Sequence, residues 1–175
     1  MTAPKEWRGR FFEDFEVGDV FRSRLGRTIT EADNVWFTTL TMNTNQVHFN
    51  SEFAARTRFG APLVNSCFTV ALVTGLSVPD TSENATANLA WADIKLSAPV
   101  FVGDTLWAES EILDLRPSSS NPSVGIVSMR TRGVNQRAEV VIEFLRTFMI
   151  YRRDAPEAQP GFPVTDAEWT VGNHI

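Results

Sequence analysis

Beyond residue 85 the apolar side chains recur at every second position, whereas before it they cluster at helical spacing. Over residues 105–115, Leu106, Ala108 and Ile112 alternate with Trp107, Glu109 and Glu111, the pattern of a strand with one dry and one wet face. Residues 86–96, 123–132 and 137–151 fit three further strands. Val102-Gly103-Asp104 and Gly133-Val134-Asn135-Gln136 supply turns, and residues 117–122 (Pro-Ser-Ser-Ser-Asn-Pro) form the expected mobile loop. Ahead of these, residues 19–29 predict a first strand, made irregular by Gly26. Thr30, with Asp33 three positions on, is a capping signal for a helix over residues 31–41 that buries Val35, Trp36 and Leu40. Asn50 caps a short helix over residues 51–58, stopped by Gly60 and Pro62. The longest apolar helix covers residues 63–77 and is closed by Pro79.

One strand, a helical block and four antiparallel strands make an α+β domain. An apolar helix needs cover on most sides, and one strongly curved antiparallel sheet wrapped around it gives that cover. Such a sheet leaves an edge strand and part of the helix open, which predicts a homodimer or a higher homo-oligomer. Residues 1–152 form the domain. Residues 153–175 form a C-terminal tail that either wraps the domain through Trp169 or stays loose.

The length of 175 residues suits one domain, able to bury roughly 70% of its unfolded surface without staples. A hydrophobic fraction of 43% with 21% charged residues is that of a soluble globular chain. The 16 basic residues are scattered among 21 acidic ones, with no dense run to neutralise a phosphate backbone, so nucleic acid is excluded as a partner. With Cys67 as the single cysteine, an internal disulfide and a thiolate metal cluster are excluded, and a reducing cytoplasm is the expected compartment. Two separated histidines do not make a metal site either. Residues 59–79 carry no charge over 21 positions, enough to cross a bilayer, yet Gly60, Pro62, Asn65 and Ser66 interrupt them. A buried helix is the better reading, and no membrane partner is expected. The first seven residues lack the apolar stretch of a secretion signal.

His48 follows the amide cluster Asn43-Thr44-Asn45-Gln46. An imidazole can take and return a proton near neutral pH, although a lone histidine on a polar loop also suits a surface or hydrogen-bonding role. The second candidate is the start of the long helix at Asn65-Ser66-Cys67. Unpaired N–H groups and positive potential there would stabilise an oxyanion; the plainer reading is that Asn65 or Ser66 merely caps the helix. Cys67 has no adjacent base and reads as a small packing residue. There is no Gly-rich phosphate loop and no Gly-x-Ser-x-Gly elbow.

Residues 43–50 (Asn-Thr-Asn-Gln-Val-His-Phe-Asn), then 53–59 and 62–66 (Pro-Leu-Val-Asn-Ser), resemble the hydratase motif of MaoC-like (R)-specific enoyl-CoA hydratases. Residues 98–106 (Ala-Pro-Val-Phe-Val-Gly-Asp-Thr-Leu) resemble that family's strand-turn-strand signature. The resemblance spans about residues 10–152. It implies a hot-dog fold, usually dimeric, that binds acyl-CoA along the subunit interface, with coenzyme A as part of the substrate and no separate cofactor. His48 falls on the family's catalytic histidine, Asn45 on its motif asparagine, and Ser66 on the glycine whose N–H faces the thioester oxygen. Two departures stand out: Gln46 replaces the usual proline, and Asn43 replaces the catalytic aspartate. An amide does not accept a proton at ordinary pH, so the His/Asp scheme does not transfer whole.

The expected chemistry is hydration of a 2-enoyl-CoA to a 3-hydroxyacyl-CoA, or the reverse. His48 moves the proton, Asn43 and Asn45 hold the water and fix the imidazole tautomer, and Ser66 and Cys67 offer backbone N–H groups. Asn65, Arg56 and Arg58 are the candidate substrate contacts. Residues 26–34, with 38–43 after them, look like the branch handling C5 dicarboxylyl-CoA esters such as mesaconyl- or itaconyl-CoA. The second carboxylate would meet Arg56 or Arg58. The rival readings are a hot-dog thioesterase and a non-catalytic acyl-CoA-binding regulatory domain.

Overall fold

The computed structural model describes residues 7–158 together with 163 and 165, so the Trp169 and His174 of the tail lie outside the described residues. The alternating second half becomes four long strands: β3 (Ala85–Leu96), β4 (Thr105–Pro117), β5 (Val124–Asn135) and β6 (Val140–Tyr151). Leu106, Ala108, Ser110 and Ile112 point inward from β4 and are buried, as their alternation requires. The predicted first strand is instead two short pieces, β1 (Val20–Arg22) and β2 (Arg27–Thr28), both paired with β4. The break has a packing cause. A Cβ on Gly26 would lie 2.3 Å from the Trp107 indole, so the chain passes the ring only without a side chain there.

All pairings are antiparallel, in the order β1-β4-β5-β6-β3, and bulges interrupt the β3–β6, β4–β5 and β5–β6 registers. Bulges bend and twist a strand, which curls the sheet around the helix. That helix is α3 (Ser66–Thr81); α1 (Glu31–Leu40) and α2 (Ser51–Ala55) precede it. Gly133 on β5 lets the helix approach, since a Cβ there would meet Val73 at 2.6 Å. The result is the hot-dog arrangement.

Several boundaries differ from expectation. Helix α3 begins three residues later than residue 63, because Asn65 takes the cap position, and it runs through Pro79 to Thr81. Helix α2 ends at Ala55, with Arg56 as its C-cap. The face of α1 is the largest correction. Trp36 and Leu40 are 78% and 76% exposed, while the buried positions are Asn34 and Thr38. Helix α3 is also less enclosed than expected: Thr69, Val73, Ser77 and Thr81 are buried, whereas Cys67, Ala71, Gly75 and Pro79 form an open stripe.

Two polar anchors hold the frame. Asp104 is buried and accepts hydrogen bonds from the Phe101 N–H, Gln136 and Arg137 at 3.0, 2.6 and 2.9 Å. Burial works to raise its pKa, but the bonds from Gln136, Phe101 and Arg137 outweigh that and hold it below the ordinary carboxylate value. Its backbone carbonyl accepts from the Ile29 N–H at 2.9 Å, which fixes the chain just before α1. Arg146, buried on β6, donates to Asn88 on β3 at 2.7 Å and to Ser82 after α3 at 3.1 Å. Burial pushes its pKa down to about 10. No helix among the described residues is long and apolar enough to cross a membrane.

Candidate functional site

The rotation of α1 is set at its first turn. The Thr30 N–H donates to Asp33 at 2.8 Å and the Asp33 N–H donates to the Thr30 hydroxyl at 3.2 Å, a reciprocal cap. Burial acts to raise the Asp33 pKa, and the Thr30 hydroxyl and N–H with Arg27 more than offset it. Thus fixed, α1 turns Asn34 and Thr38, one helical turn apart, toward the loop that carries His48 and toward the start of α3.

Asn34 donates from its amide nitrogen to the His48 carbonyl at 2.7 Å and the Leu63 carbonyl at 2.9 Å, and its amide oxygen accepts the Asn65 N–H at 2.8 Å. The Asn65 amide nitrogen reaches the Thr38 hydroxyl at 3.2 Å. Leu63 itself is pinned from both sides, through its N–H to the Val47 carbonyl at 3.1 Å and through a bridge to Phe101. Its carbonyl also meets His48 Nδ1 at 3.0 Å. A carbonyl only accepts, so Nδ1 carries the proton and Nε2 of the neutral ring is an acceptor. The tautomer is therefore fixed by Leu63.

Asn45, expected to fix that tautomer, has its side-chain oxygen on the Val47 N–H at 3.2 Å, capping the 3-10 turn Gln46–His48. The Asn43 oxygen accepts the Asn45 N–H at 3.0 Å, and the Asn43 N–H donates to the Thr38 carbonyl at 3.0 Å. The amide cluster thus builds the turn that presents His48; these polar side chains bond their own backbone because it lies within reach. The Asn65 side chain is buried and committed to Thr38 and the Cys67 N–H, so it does not present itself as a substrate contact.

At the start of α3 the expectation also needs correcting. The Cys67 N–H is taken by the Asn65 side chain at 3.0 Å. The Ser66 N–H has no hydrogen-bond partner among the described residues, and Ser66 is exposed. Of the two predicted backbone donors only Ser66 stands ready. Arg56 and Arg58 are exposed at the end of α2, and Arg58 lies over the Phe59 ring at 4.7 Å.

His48 borders a cavity of about 210 Å³, shared with Glu31, Asn34, Val35, Pro62 and Phe101. Neither arginine lines it, nor do Asn43 and Ser66. A larger cavity of about 1010 Å³ runs between Phe37, the Phe68–Leu76 part of α3 and the chain around Leu25. Sequence reasoning missed Asn34, Thr38 and the Leu63 carbonyl. The one signal was the i, i+4 spacing of two small polar residues on α1, which carries no weight until the helix face is known.

A profile of the mesaconyl-CoA hydratase family matches residues 2–173. The chain is 38% identical over 157 residues to the mesaconyl-CoA hydratase of Cereibacter sphaeroides, covering 89% of this chain and 46% of that protein. It is 35% identical over 167 residues to the β-methylmalyl-CoA dehydratase of Chloroflexus aurantiacus, covering 90% of this chain and 47% of that one. A conserved Mycobacterium tuberculosis protein described as a double hot-dog fold superposes with a TM-score of 0.77 at 24% identity. The match takes in 90% of this chain and 48% of the other. The chain spans about half the length of the curated relatives it matches.

Proposed function

The chain belongs to the mesaconyl-CoA hydratase family, and on that premise we propose that it hydrates a 2-enoyl-CoA reversibly, with a C5 dicarboxylyl ester such as mesaconyl-CoA as substrate. The observation that carries this reading is the bare Nε2 of His48. Its ring is tied by Nδ1 to the carbonyl of Leu63, three residues before the unpartnered N–H of Ser66. One segment, residues 63–66, thereby orients a base and offers an oxyanion donor.

In the forward direction Nε2 takes a proton from water as the water oxygen bonds to the β-carbon. The electron pair of the double bond moves through the α-carbon to the thioester oxygen, where the Ser66 N–H and the positive end of α3 meet the charge. The imidazolium then returns its proton to the α-carbon, so water is added across the bond and the enzyme ends as it began. Coenzyme A enters as part of the substrate, and the scheme uses no resident cofactor. Incubation with mesaconyl-CoA and with crotonyl-CoA, followed by product mass measurement, tests it: a gain of one water is expected. Glu31 on the wall of the His48 cavity supports thioester hydrolysis as the second reading, since it is a carboxylate available as a base. Release of free thiol without hydrated product would establish that reading and remove the first.

The His48 cavity of about 210 Å³ is smaller than ordinary small-molecule sites, so an acyl-CoA bound there would extend beyond it. Strand β3 points to the missing cover. Every residue from 86 to 96 is exposed, and Leu89, Trp91, Ile94 and Leu96 all stand in water along an edge with no strand beyond it among the described residues. Long, flat apolar edges are otherwise avoided because they pair with other chains. The reading is a second copy docked along β3, as the doubled length of the relatives suggests. Sedimentation should show a dimer, and Leu89→Lys combined with Ile94→Lys should shift it to monomer. An unchanged sedimentation coefficient in that variant would take β3 out of the interface.

A further inference from the structure

We propose that Asn34 is the positioning residue of the hydration site, clamping the His48 loop and the start of α3 into one rigid unit; this rests on the hydration reading above. Asn34 is 1% exposed and touches no candidate reacting atom. Its side chain joins three backbone groups that lie 14, 29 and 31 residues away along the chain: the His48 carbonyl, the Leu63 carbonyl and the Asn65 N–H. Only one orientation of the amide fits, because both carbonyls must accept and the N–H must donate.

Each of the three bonds has a distinct consequence for the reaction. The bond to His48 holds the backbone from which the imidazole projects. The bond to Leu63 holds the same carbonyl that receives the His48 Nδ1 proton, so the group that selects the tautomer is itself fixed. The bond from Asn65 holds the cap residue immediately before Ser66, which fixes where the Ser66 N–H points. Base and oxyanion donor lie on separate elements, and one buried amide reinforces the direct Leu63–Val47 and His48–Leu63 bonds that join them. Thr38 braces the Asn65 side chain from the next turn of α1, so the clamp also has a support behind it. A peptide carbonyl in place of Asn34 would satisfy only the Asn65 N–H, and a water, although able to donate twice and accept, would not be held covalently on α1.

The test uses Asn34→Asp, which keeps the size and the acceptor for Asn65 but loses both donations, and Asn34→Ala, which loses all three bonds. In each variant kcat should fall about 10- to 100-fold, as expected for misplacement by about 1 Å, with KM nearly unchanged. The second readout needs no turnover. The chain has two histidines, so the ring-nitrogen resonances of His48 are assignable by comparison with His48→Gln. At alkaline pH, where imidazoles are neutral, the parent should carry its proton on Nδ1 and the Asn34 variants should shift toward Nε2. A folded variant with the parent's kcat overturns the proposal, as does an unchanged ring-proton position. A parent spectrum with the proton on Nε2 overturns it even where neither variant folds. If the parent shows no hydratase activity the hydration reading falls, while the ring-proton comparison still decides whether Asn34 positions His48.

Discussion

Replacing His48 by Ala should lower turnover by about 10² to 10⁴ while the protein stays folded. At about 1.36 kcal/mol for each factor of ten, that removes about 3 to 5 kcal/mol of barrier lowering. The size follows from the role: without the imidazole, water must lose its proton to bulk solvent or to the Glu31 carboxylate at the cavity wall, neither of which is held in place as the ring is by Leu63. Asn43, where a carboxylate would serve, carries an amide whose oxygen already accepts the Asn45 N–H. The fold should survive, because the ring makes a single hydrogen bond, to the Leu63 carbonyl, and that carbonyl keeps Asn34 as a donor. A neutral hydrogen bond of this kind is worth about 1 kcal/mol. Steady-state rates on mesaconyl-CoA with a thermal melt in parallel check both halves. Turnover equal to the parent's would falsify the proton-transfer role of His48.

Ser66→Pro should cost about 10² to 10³ in kcat, whereas Ser66→Ala should cost little. Ser66 is the first residue of α3, and proline is well tolerated at that position because its missing N–H has no partner inside the helix and its φ is already helical. The residue before it, Asn65, has ψ 128°, the extended region that a following proline prefers. The substitution therefore deletes one donor and spares the helix, and a loss of about 3 kcal/mol matches the removal of a single oxyanion contact. The Ala variant keeps the N–H and loses only the hydroxyl. Circular dichroism should show equal helix content in both. Equal kcat in the two variants would take the Ser66 N–H out of the site.

Much of the fold was legible. Inward Leu106, Ala108 and Ile112 alternate with outward Trp107, Glu109 and Glu111, and β4 has no freedom to place them otherwise once one face is dry. Thr30 and Asp33 marked the start of α1 and Asn50 that of α2, because caps act within a few residues, whereas α3 was expected from residue 63 although Asn65 was a candidate cap. The family motif singled out His48 and Ser66 as candidates. The burial of α1 was misread, since Val35, Trp36 and Leu40 look like a core stripe by hydrophobicity while Trp36 and Leu40 stand in water.

The sequence by itself determined the order of elements, the alternation of the sheet, the caps and the position of the histidine, because each depends on residues within about one turn or one strand. The tertiary structure alone decided which face of α1 turns inward and that the Leu63 carbonyl accepts the hydrogen bond of His48 Nδ1. Those features depend on groups many residues apart, Asn34 with the His48 and Leu63 carbonyls and Leu63 with the imidazole. A carbonyl looks the same at every position of a sequence, and only the packing of α1 against the His48 loop and α3 shows which carbonyls Asn34 can reach.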